Sequence, residues 1–490
     1  MTTSPPPLRL REKIGYSLGD LAANLIFQTL VTFLAFFYTD VYRIPPGAAA
    51  GIIFAVGLLG AFVFTPLVGI VADRTRSRWG KFRPWILWTA VPFGALSLAA
   101  FSTPSFGTQG KVTYALATYT LLMLVYVANN LPYAALSGVL TGSMAERNSL
   151  SSYRFVAVMI AQFIIQVLLL PLVLLLGGGD KARGFAHAMT LFAAMGTLFF
   201  LITFLTTRER IVPRPEQASS VRQDLHDLAG NGPWRVVLVL TVLIFVTLAL
   251  KGGMYVYYFK YYLDPQALGE FIAQTRFDRL VAGIDHALLG LGLEGFHWPQ
   301  DPATSAFSLF SAAGISFMIV GIGCSKPLAD RFGKRDVFIG ALLLATLCLL
   351  AFWLFSPQAV WAVVLAYVLH GFFYGITTPL LWAMTADVAD YSEWKTGRRA
   401  TAIIFSAMLC GLKVGLSVGG ALVAAILAGY GYDAAAPTQA PRVAHGIRLS
   451  VSLYSGIPFL AGIALLFLYR IDKRMENRIE QELGARRATA

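Results

Sequence analysis

The amino-acid sequence indicates an all-α membrane protein whose twelve spanning helices form two six-helix bundles. Of its 490 residues, 57% are apolar and 13% are charged, and its mean hydropathy of +0.64 is too high for a chain that covers itself with a water-soluble surface. The apolar residues come in runs of about 20, the length that crosses a hydrocarbon core of about 30 Å. The net charge of +13 does not indicate a nucleic-acid-binding face, because the basic residues lie in short gaps between these runs.

Two sets of six apolar runs follow one another along the chain, and each run is long enough for one helix that crosses the membrane. We number these runs as spans 1 to 12. Spans 1 to 6 are predicted at 14–40, 48–73, 84–102, 112–138, 151–177 and 187–207, and spans 7 to 12 at 234–263, 306–329, 336–356, 359–386, 399–430 and 449–470. The predicted domains are an N-terminal bundle (1–207), a cytoplasmic linker (208–233), a C-terminal bundle (234–470) and a cytoplasmic tail (471–490).

Basic residues mark one side of the membrane. They are concentrated in the gaps after spans 2, 6, 8 and 10 and in the tail, whereas the opposite gaps hold few. Since gaps rich in Lys and Arg stay in the cytoplasm, we expect both termini on the cytoplasmic side of a bacterial-type inner membrane. The start, "MTTSPPPLRLREK", lacks the apolar core of a signal peptide, so span 1 is expected to anchor itself.

One short pattern occurs in both halves. "VADRTRSRWGKFRPW" follows span 2 and "LADRFGKRDVF" follows span 8, and each places Asp-Arg at a helix end before Gly-Lys. Repeated halves are typical of transporters that work by alternating access. Asp73, Arg74, Asp330 and Arg331 are therefore predicted gate residues, with the aspartates accepting hydrogen bonds from N–H groups at a helix start. The alternative is that these charges only set the orientation of the chain.

An insertion at residues 264–305 interrupts the second half on the extracytoplasmic side. Its apolar residues recur at helical spacing, which predicts one amphipathic helix at the outer mouth. We interpret the insertion as passive, with a lid as the alternative. The residues on the apolar face are Leu268, Phe271, Ile272, Phe277, Leu280, Val281 and Ile284.

Polar residues at membrane depth are the candidate functional residues, because buried charges are costly there and usually face a cavity or a partner. Asp20, Asn24 and Gln28 recur every fourth position in span 1 and so share one helix face. The remaining substrate-binding candidates are Tyr126 and Asn130 in span 4, Arg154 in span 5, Lys251 and Tyr255 in span 7, Trp382 in span 10 and Lys413 in span 11.

This set of amides, hydroxyls, aromatic rings and cations suits a polyhydroxylated ligand. Sugar hydroxyls need paired donors and acceptors, and the apolar face of a sugar stacks on an aromatic ring, for which Trp382 is the best candidate. Lys413 lies about 21 Å inside its span and cannot reach the membrane surface. His370 in span 10 is either a hydrogen-bonded structural group or a proton carrier.

No cofactor or metal site is predicted, and the protein is not expected to be an enzyme. "TADVADYSEW" contains Asp387 and Asp390, as in the Mg²⁺-binding loops of membrane prenyltransferases, but a second loop rich in Asp is missing from the sequence. The sequence also contains no nucleophile elbow, P-loop or His-Glu metal motif.

Seven stretches resemble one group of the major facilitator superfamily, the glycoside–pentoside–hexuronide:cation symporters, which include the melibiose permease. The resemblance runs through nearly the whole chain and leaves out the insertion. It implies the major facilitator fold, a central sugar site and coupling to Na⁺, Li⁺ or H⁺. The stretches are "FFYTDVY" (36–42), "TRSRWGKFRPWIL" (75–87), "NNLPYAALSG" (129–138), "ERNSLSSYRF" (146–155), "YYFKYYL" (257–263), "ADVADYSEWKTGRR" (386–399) and "LKVGLSVGGA" (412–421).

The resemblance also assigns expected roles to individual residues. Arg154 matches the sugar-site arginine of the family, Trp382 its sugar-site tryptophan, and Lys413 a lysine near both the sugar and the cation. Asp20 and Asn24 fit the pattern of the pentoside and hexuronide members, whereas the melibiose permease has Asp in place of Asn24.

Sodium coupling is not expected. Ala61 and Thr65 stand where the sodium-coupled members carry two carboxylates, and Asn130 stands where the melibiose permease has Asp. Because a Na⁺ site benefits from negative charge, we expect proton coupling through Asp20, with His370 in reserve, or facilitated diffusion. The expected partners are a sugar or glycoside, a proton and the lipid bilayer. The alternatives are a lysolipid transporter of the same superfamily and a sugar sensor that does not transport.

Overall fold

The computed structural model describes residues 8–141, 144–210, 230–290, 301–397, 401–436 and 438–489. Within these ranges the predicted all-helical fold is confirmed, and eleven helices are long and apolar enough to cross a membrane. They are Leu10–Val41, Pro46–Ala72, Thr108–Leu140, Ser149–Gly177, Lys181–Thr206, Gly232–Tyr262, Pro302–Phe332, Lys334–Leu354, Val360–Thr396, Ile403–Tyr430 and Pro441–Leu466. Span 3 is the shorter helix Arg83–Ala100, which begins with Arg-Pro and contains Pro92. Residues 211–229 of the predicted linker lie outside the described residues.

The chain groups into two compact units. The first comprises Met1–Glu216 with Arg276–Ser308, and the second comprises Gln217–Thr275 with Leu309–Ala490. In the first unit, span 1 packs against spans 5 and 6, and span 3 packs against spans 4 and 6. In the second unit, span 7 packs against spans 11 and 12, and span 9 packs against spans 10 and 12. Each pairing in one unit therefore has its counterpart six spans later.

Spans 7 and 11 approach each other closely because span 11 carries a row of glycines. A Cβ atom on Gly415 would lie 2.5 Å from the carbonyl oxygen of Val242, and one on Gly419 would lie 2.3 Å from that of Val246. Small residues let helix backbones meet in this way in membranes. The row also orients Lys413, which lies about half a turn away from the glycines and so on the opposite face of the helix.

Several spans contain a π turn, in which the backbone holds one residue more than in an α-helical turn. Each of these turns is followed closely by a proline, which cannot donate a backbone hydrogen bond and crowds the preceding turn. Spans 1 and 7 both end in a π turn, as expected for repeated halves. The π turns in the described residues are Phe37–Val41, Gly60–Phe64, Ile164–Leu168, Tyr258–Tyr262 and Ser450–Tyr454.

Glu209, just after span 6, caps the start of span 3. Its carboxylate accepts hydrogen bonds from the backbone N–H groups of Lys81, Phe82 and Arg83 at 2.9, 2.7 and 2.9 Å. The carboxylate thereby binds the unpaired donors and the positive dipole end of the helix. The neighbouring Gly80 has φ of +111°, and a Cβ there would lie 2.4 Å from the Glu209 carboxyl carbon, so a side chain does not fit.

We expect Glu209→Gln to destabilise the protein. The amide has only one acceptor oxygen for three N–H donors, so at least one buried donor loses its partner, at a cost of about 1–2 kcal/mol. The measurement is the thermal melting temperature of the purified protein in detergent. Glu480→Gln, at an exposed position on the tail helix, is the matched control. Equal melting temperatures for the two variants would contradict the capping role.

The tail forms a helix, Lys473–Thr489, that packs on the second unit. Lys334 at the start of span 9 forms ion pairs with Asp387 at 2.7 Å and with Glu476 of the tail at 2.5 Å. The apolar side chains Ile479 and Leu483 of the tail are buried in the core of this unit. Asp387 therefore serves a structural ion pair in this arrangement.

The prediction of a single helix in the insertion is wrong, because the structure has two. Pro265–Gln274 and Phe277–Gly290 are separated at Arg276, whose φ of +53° ends the first helix. Phe271 of the first helix packs edge-on against Trp361 with ring centroids 4.8 Å apart, and Gln274 accepts a hydrogen bond from the Trp361 indole at 2.8 Å. This helix is thus fixed to the start of span 10.

Candidate functional site

Asp20 and Arg154 form a buried ion pair in the first unit. The Arg154 Nε lies 2.8 Å from the Asp20 Oδ2, and the exposed fractions of the two side chains are 29% and 7%. Asn24, one turn further along span 1, donates from Nδ2 to the Asp20 carbonyl at 2.9 Å and to Oδ1 at 3.4 Å. The stripe predicted on span 1 and the arginine predicted on span 5 are therefore brought together.

Two stacked tyrosines support this ion pair. The rings of Tyr16 and Tyr133 lie 4.5 Å apart and almost parallel, and each hydroxyl donates to the backbone carbonyl of the other residue, at 2.9 and 2.7 Å. The Arg154 guanidinium lies 5.7 and 5.4 Å from the two ring centroids, within the range of a cation–π contact. The rings and the carboxylate together fix the position of the arginine.

The other candidates of the first unit lie on spans 1 and 4. Tyr126 is buried and stacks on Phe27 with ring centroids 5.3 Å apart. Gln28 and Asn130 are partly buried. Asn129, which precedes Asn130, is buried and donates to the hydroxyl of Thr89 at 2.8 Å, so this neighbouring amide joins spans 3 and 4.

Lys251 and His370 are in direct contact inside the second unit. The Lys251 Nζ meets the Nε2 of His370, and the exposed fractions of the two residues are 6% and 1%. The His370 Nδ1 lies 2.9 Å from the backbone oxygen of Ala345 in span 9. Lys251 also lies 5.9 and 5.3 Å from the ring centroids of Tyr367 and Tyr374. Its ammonium group is therefore covered by aromatic rings.

The second unit contains three further candidates. Tyr255 is buried between aromatic rings, and its hydroxyl has no hydrogen-bond partner among the described residues. Trp382 is partly buried, and its ring is parallel to that of Phe405 at a centroid distance of 6.5 Å. Lys413 is partly buried in span 11, and its backbone carbonyl accepts from the Ser417 hydroxyl at 2.7 Å.

The stretch of span 2 with Ala61 and Thr65 includes the π turn Gly60–Phe64, which has no carboxylates. The Thr65 hydroxyl donates to the Gly60 carbonyl at 2.7 Å, and Ala61 is buried. No group of three or more His, Cys, Asp or Glu side chains able to hold a metal ion occurs among the described residues. The Thr65 hydroxyl thus forms a hydrogen bond within its own helix.

The predicted gate residues lie at the ends of spans 2 and 8. Arg74 is exposed, and the side chain of Asp73 lies outside the described part of the chain. Asp330 and Arg331 are exposed, and their backbone carbonyls accept from Lys473 Nζ at 2.6 and 3.1 Å. At the start of span 3 the backbone N–H groups donate to Glu209, and the capping roles of the gate aspartates stay predictions.

Tyr16 and Glu209 are residues with structural roles that the sequence reasoning did not select. Tyr16 precedes Asp20 by one turn, so extending the polar stripe of span 1 backwards would have found it. Glu209 has no such signal, because its three backbone partners are more than a hundred positions earlier.

Comparison with known proteins places the whole chain in one family. The family described as MFS/sugar transport protein matches residues 15–276 and 301–473, which leaves out most of the insertion. The inner membrane symporter YicJ of Escherichia coli (strain K12) is 35% identical over 452 residues, covering 92% of this chain and 89% of that protein. The isoprimeverose transporter of Lactiplantibacillus pentosus is 31% identical over 491 residues, covering 98% and 93%.

Among solved structures, a transporter matches the fold of this chain. The crystal structure of the nucleoside transporter NupG matches with a TM-score of 0.59 and 14% sequence identity, covering 94% of this chain and 99% of that one. At this identity the likeness concerns the fold alone, which is that of the major facilitator superfamily. The matched family, the two relatives and the motifs agree: this integral membrane protein belongs to the glycoside–pentoside–hexuronide:cation symporters, the sugar transporters of that superfamily.

Proposed function

We propose that the protein moves a glycoside, neutral or acidic, across the bacterial inner membrane by alternating access, coupled to protons and not to sodium. The observation that carries the proposal is the Asp20–Arg154 pair with its tyrosine support. An acidic acceptor and a planar cationic donor, held in place side by side, match the paired donors and acceptors that adjacent sugar hydroxyls require.

Within each unit by itself, several residues have the chemistry to recognise part of a sugar. In the first unit, Asp20, Asn24 and Arg154 bind hydroxyl groups. In the second unit, Trp382 provides the aromatic face for stacking, and Lys413 is the cation proposed to bind a sugar carboxylate. A relative named isoprimeverose transporter supports a sugar as the substrate. Arg154 is already compensated by Asp20, so the substrate need not be anionic.

The proposed orientation in the membrane and the proposed domain organisation are inferred from where the basic residues lie in the sequence. The basic gaps and the name of the relative YicJ, an inner membrane symporter, support an inner-membrane location with both termini in the cytoplasm. The domains are the two predicted bundles, joined by the linker at 208–233. The gate residues Asp73, Arg74, Asp330 and Arg331 lie on the cytoplasmic side of this arrangement.

We expect uptake that does not depend on sodium. The π turn of span 2 offers neutral oxygens where a Na⁺ site needs negative charge, so sodium has no strong ligand set there. The measurement is initial uptake into proteoliposomes of labelled methyl β-D-xyloside, methyl β-D-glucoside, methyl β-D-glucuronide and lysophosphatidylcholine. Each is tested across Na⁺ concentrations at fixed pH, and then across pH gradients without Na⁺.

The four compounds separate the alternatives. Glycoside uptake that follows the pH gradient and ignores Na⁺ supports the proposal. A saturable stimulation by Na⁺ would overturn the coupling assignment, and uptake that follows neither gradient would mean facilitated diffusion. Entry of lysophosphatidylcholine without any glycoside would identify a lysolipid transporter, whereas sugar binding without exchange across the membrane would identify a sensor.

A further inference from the structure

Lys251 and His370 form a polar pair in an apolar part of the second unit. Lys251 lies about 17 Å from the nearer end of span 7, too far for its side chain to reach the membrane surface. Among the described residues, no Asp or Glu forms an ion pair with it. A buried cation that contacts aromatic rings and an imidazole, with no carboxylate paired to it among the described residues, is costly to keep charged.

The geometry determines which nitrogen of His370 carries its proton. A backbone carbonyl only accepts hydrogen bonds, so the Nδ1 that faces the oxygen of Ala345 is the protonated nitrogen. The lone pair of the neutral ring is then on Nε2 and points at the Lys251 ammonium. The Lys251 amine and the His370 Nε2 therefore share one proton. A second proton on the pair would place two positive charges in contact.

The groups around the pair leave it as a separate protonation site. Tyr255 on span 7 and Tyr367 and Tyr374 on span 10 are phenols, which are uncharged at neutral pH. Span 9 contributes the carbonyl of Ala345, and span 12 contributes the ring of Phe459, 6.4 Å from that of His370.

Span 11, which packs along span 7, ends at Tyr430 and carries two titratable residues in its interior, Cys410 and Lys413. Both lie away from the glycine row that faces span 7, so neither is directed at Lys251. The number of protons that the pair binds is therefore determined by Lys251 and His370 themselves and by their access to water.

Asp20, the buried acid of the first unit, differs from this pair in having a counter-charge. Both oxygens of the Asp20 carboxylate are engaged, one by Arg154 and the other by Asn24, and its charge is balanced. Gain of a proton there would leave Arg154 without its anionic partner. The pair in the second unit has no such counter-charge, so its net charge can change between +1 and 0 without breaking an ion pair.

We propose that Lys251 and His370 form a single-proton site that carries the coupling proton. The Lys251 ammonium releases one proton to water on one side of the membrane, and the resulting amine then donates a hydrogen bond to the His370 Nε2. The amine later regains a proton from the other side. This inference rests on the proposed function, since it names the residues that link sugar movement to protons.

The test compares two modes of transport in proteoliposomes, with methyl β-D-xyloside and methyl β-D-glucuronide as probes. Exchange of labelled for unlabelled sugar needs no net proton movement, whereas accumulation against a gradient does. Lys251→Met and His370→Gln are expected to keep exchange and to lose accumulation driven by a pH gradient. Lys251→Arg, which fixes the positive charge, is expected to behave in the same way. Lys260→Met, at the end of the same span, is the control and is expected to accumulate sugar as the wild type does.

Each other outcome has a definite meaning. Normal accumulation in Lys251→Met would overturn the proton site while leaving the proposed function intact. Loss of exchange together with accumulation, in all three variants, would assign the pair to folding or to substrate binding and would also overturn it. Wild-type protein that exchanges neither probe would instead count against the proposed function.

Discussion

Replacing Asp20 with Asn is expected to abolish sugar transport and to destabilise the protein by about 3 kcal/mol, since it leaves the partly buried Arg154 without its carboxylate. Asp20 is almost fully buried, but the Arg154 side chain is 29% exposed. The expected loss of stability is therefore at the low end of the range for breaking a buried ion pair. The measurements are the melting temperature of the purified protein and glycoside uptake by proteoliposomes.

Two further variants distinguish this pair from an ordinary ion pair. Asp180 and Arg183 form the matched surface pair of the same unit, 3.5 Å apart with side chains 52% and 78% exposed. Asp180→Asn should leave the melting temperature unchanged, because Asn also caps a helix and the pair is exposed. The double variant Asp20→Asn, Arg154→Gln should recover most of the stability but no transport. Wild-type uptake by Asp20→Asn would refute the role of Asp20 in the site.

Trp382→Ala is expected to weaken sugar binding at least about tenfold, a loss of about 1.4 kcal/mol or more. The ring of Trp382 is partly buried and lies parallel to that of Phe405 at a centroid distance of 6.5 Å, and we expect a sugar to stack on this tryptophan. The measurement is the dissociation constant, by calorimetry, of whichever methyl glycoside shows the highest uptake. Trp382→Phe should retain part of the affinity, because a smaller ring still stacks.

Trp361→Ala is the control for this variant. Trp361 lies on the same helix, about 31 Å away, and its described contacts are with the insertion helix through Phe271 and Gln274. Its loss should affect that helix but not sugar affinity. If the two alanine variants bind the sugar equally well, Trp382 does not stack on it.

Much of the fold was predictable because membrane helices are specified by local composition. The length of each apolar run and the charges at its ends suffice to place a span, and the predicted spans coincide with observed helices. The helix face shared by Asp20 and Asn24 could also be predicted from local sequence, because residues four apart lie on one face. Candidates within one span could thus be named before their partners were known.

Contacts between distant segments were not predictable from the single sequence. Asp20 and Arg154 are 134 positions apart, and Lys251 and His370 are 119 positions apart. Hydrophobic periodicity shows that such residues face inward but not which of them meet. The break in the insertion at Arg276 was missed for a different reason, because a positive φ at a residue other than glycine is uncommon and has no sequence signal there.

The π turns bear on how this chain is to be aligned with its relatives. Removing one residue from an α-helical span rotates everything beyond it by about 100°, which would turn a polar face towards lipid. Removing one residue from a π turn instead restores an ordinary α-helical turn and leaves both flanking segments in register. Alignment gaps of a single residue within spans 1, 2, 5, 7 and 12 therefore belong at these turns. With the gaps placed there, the residues on either side keep their correct counterparts.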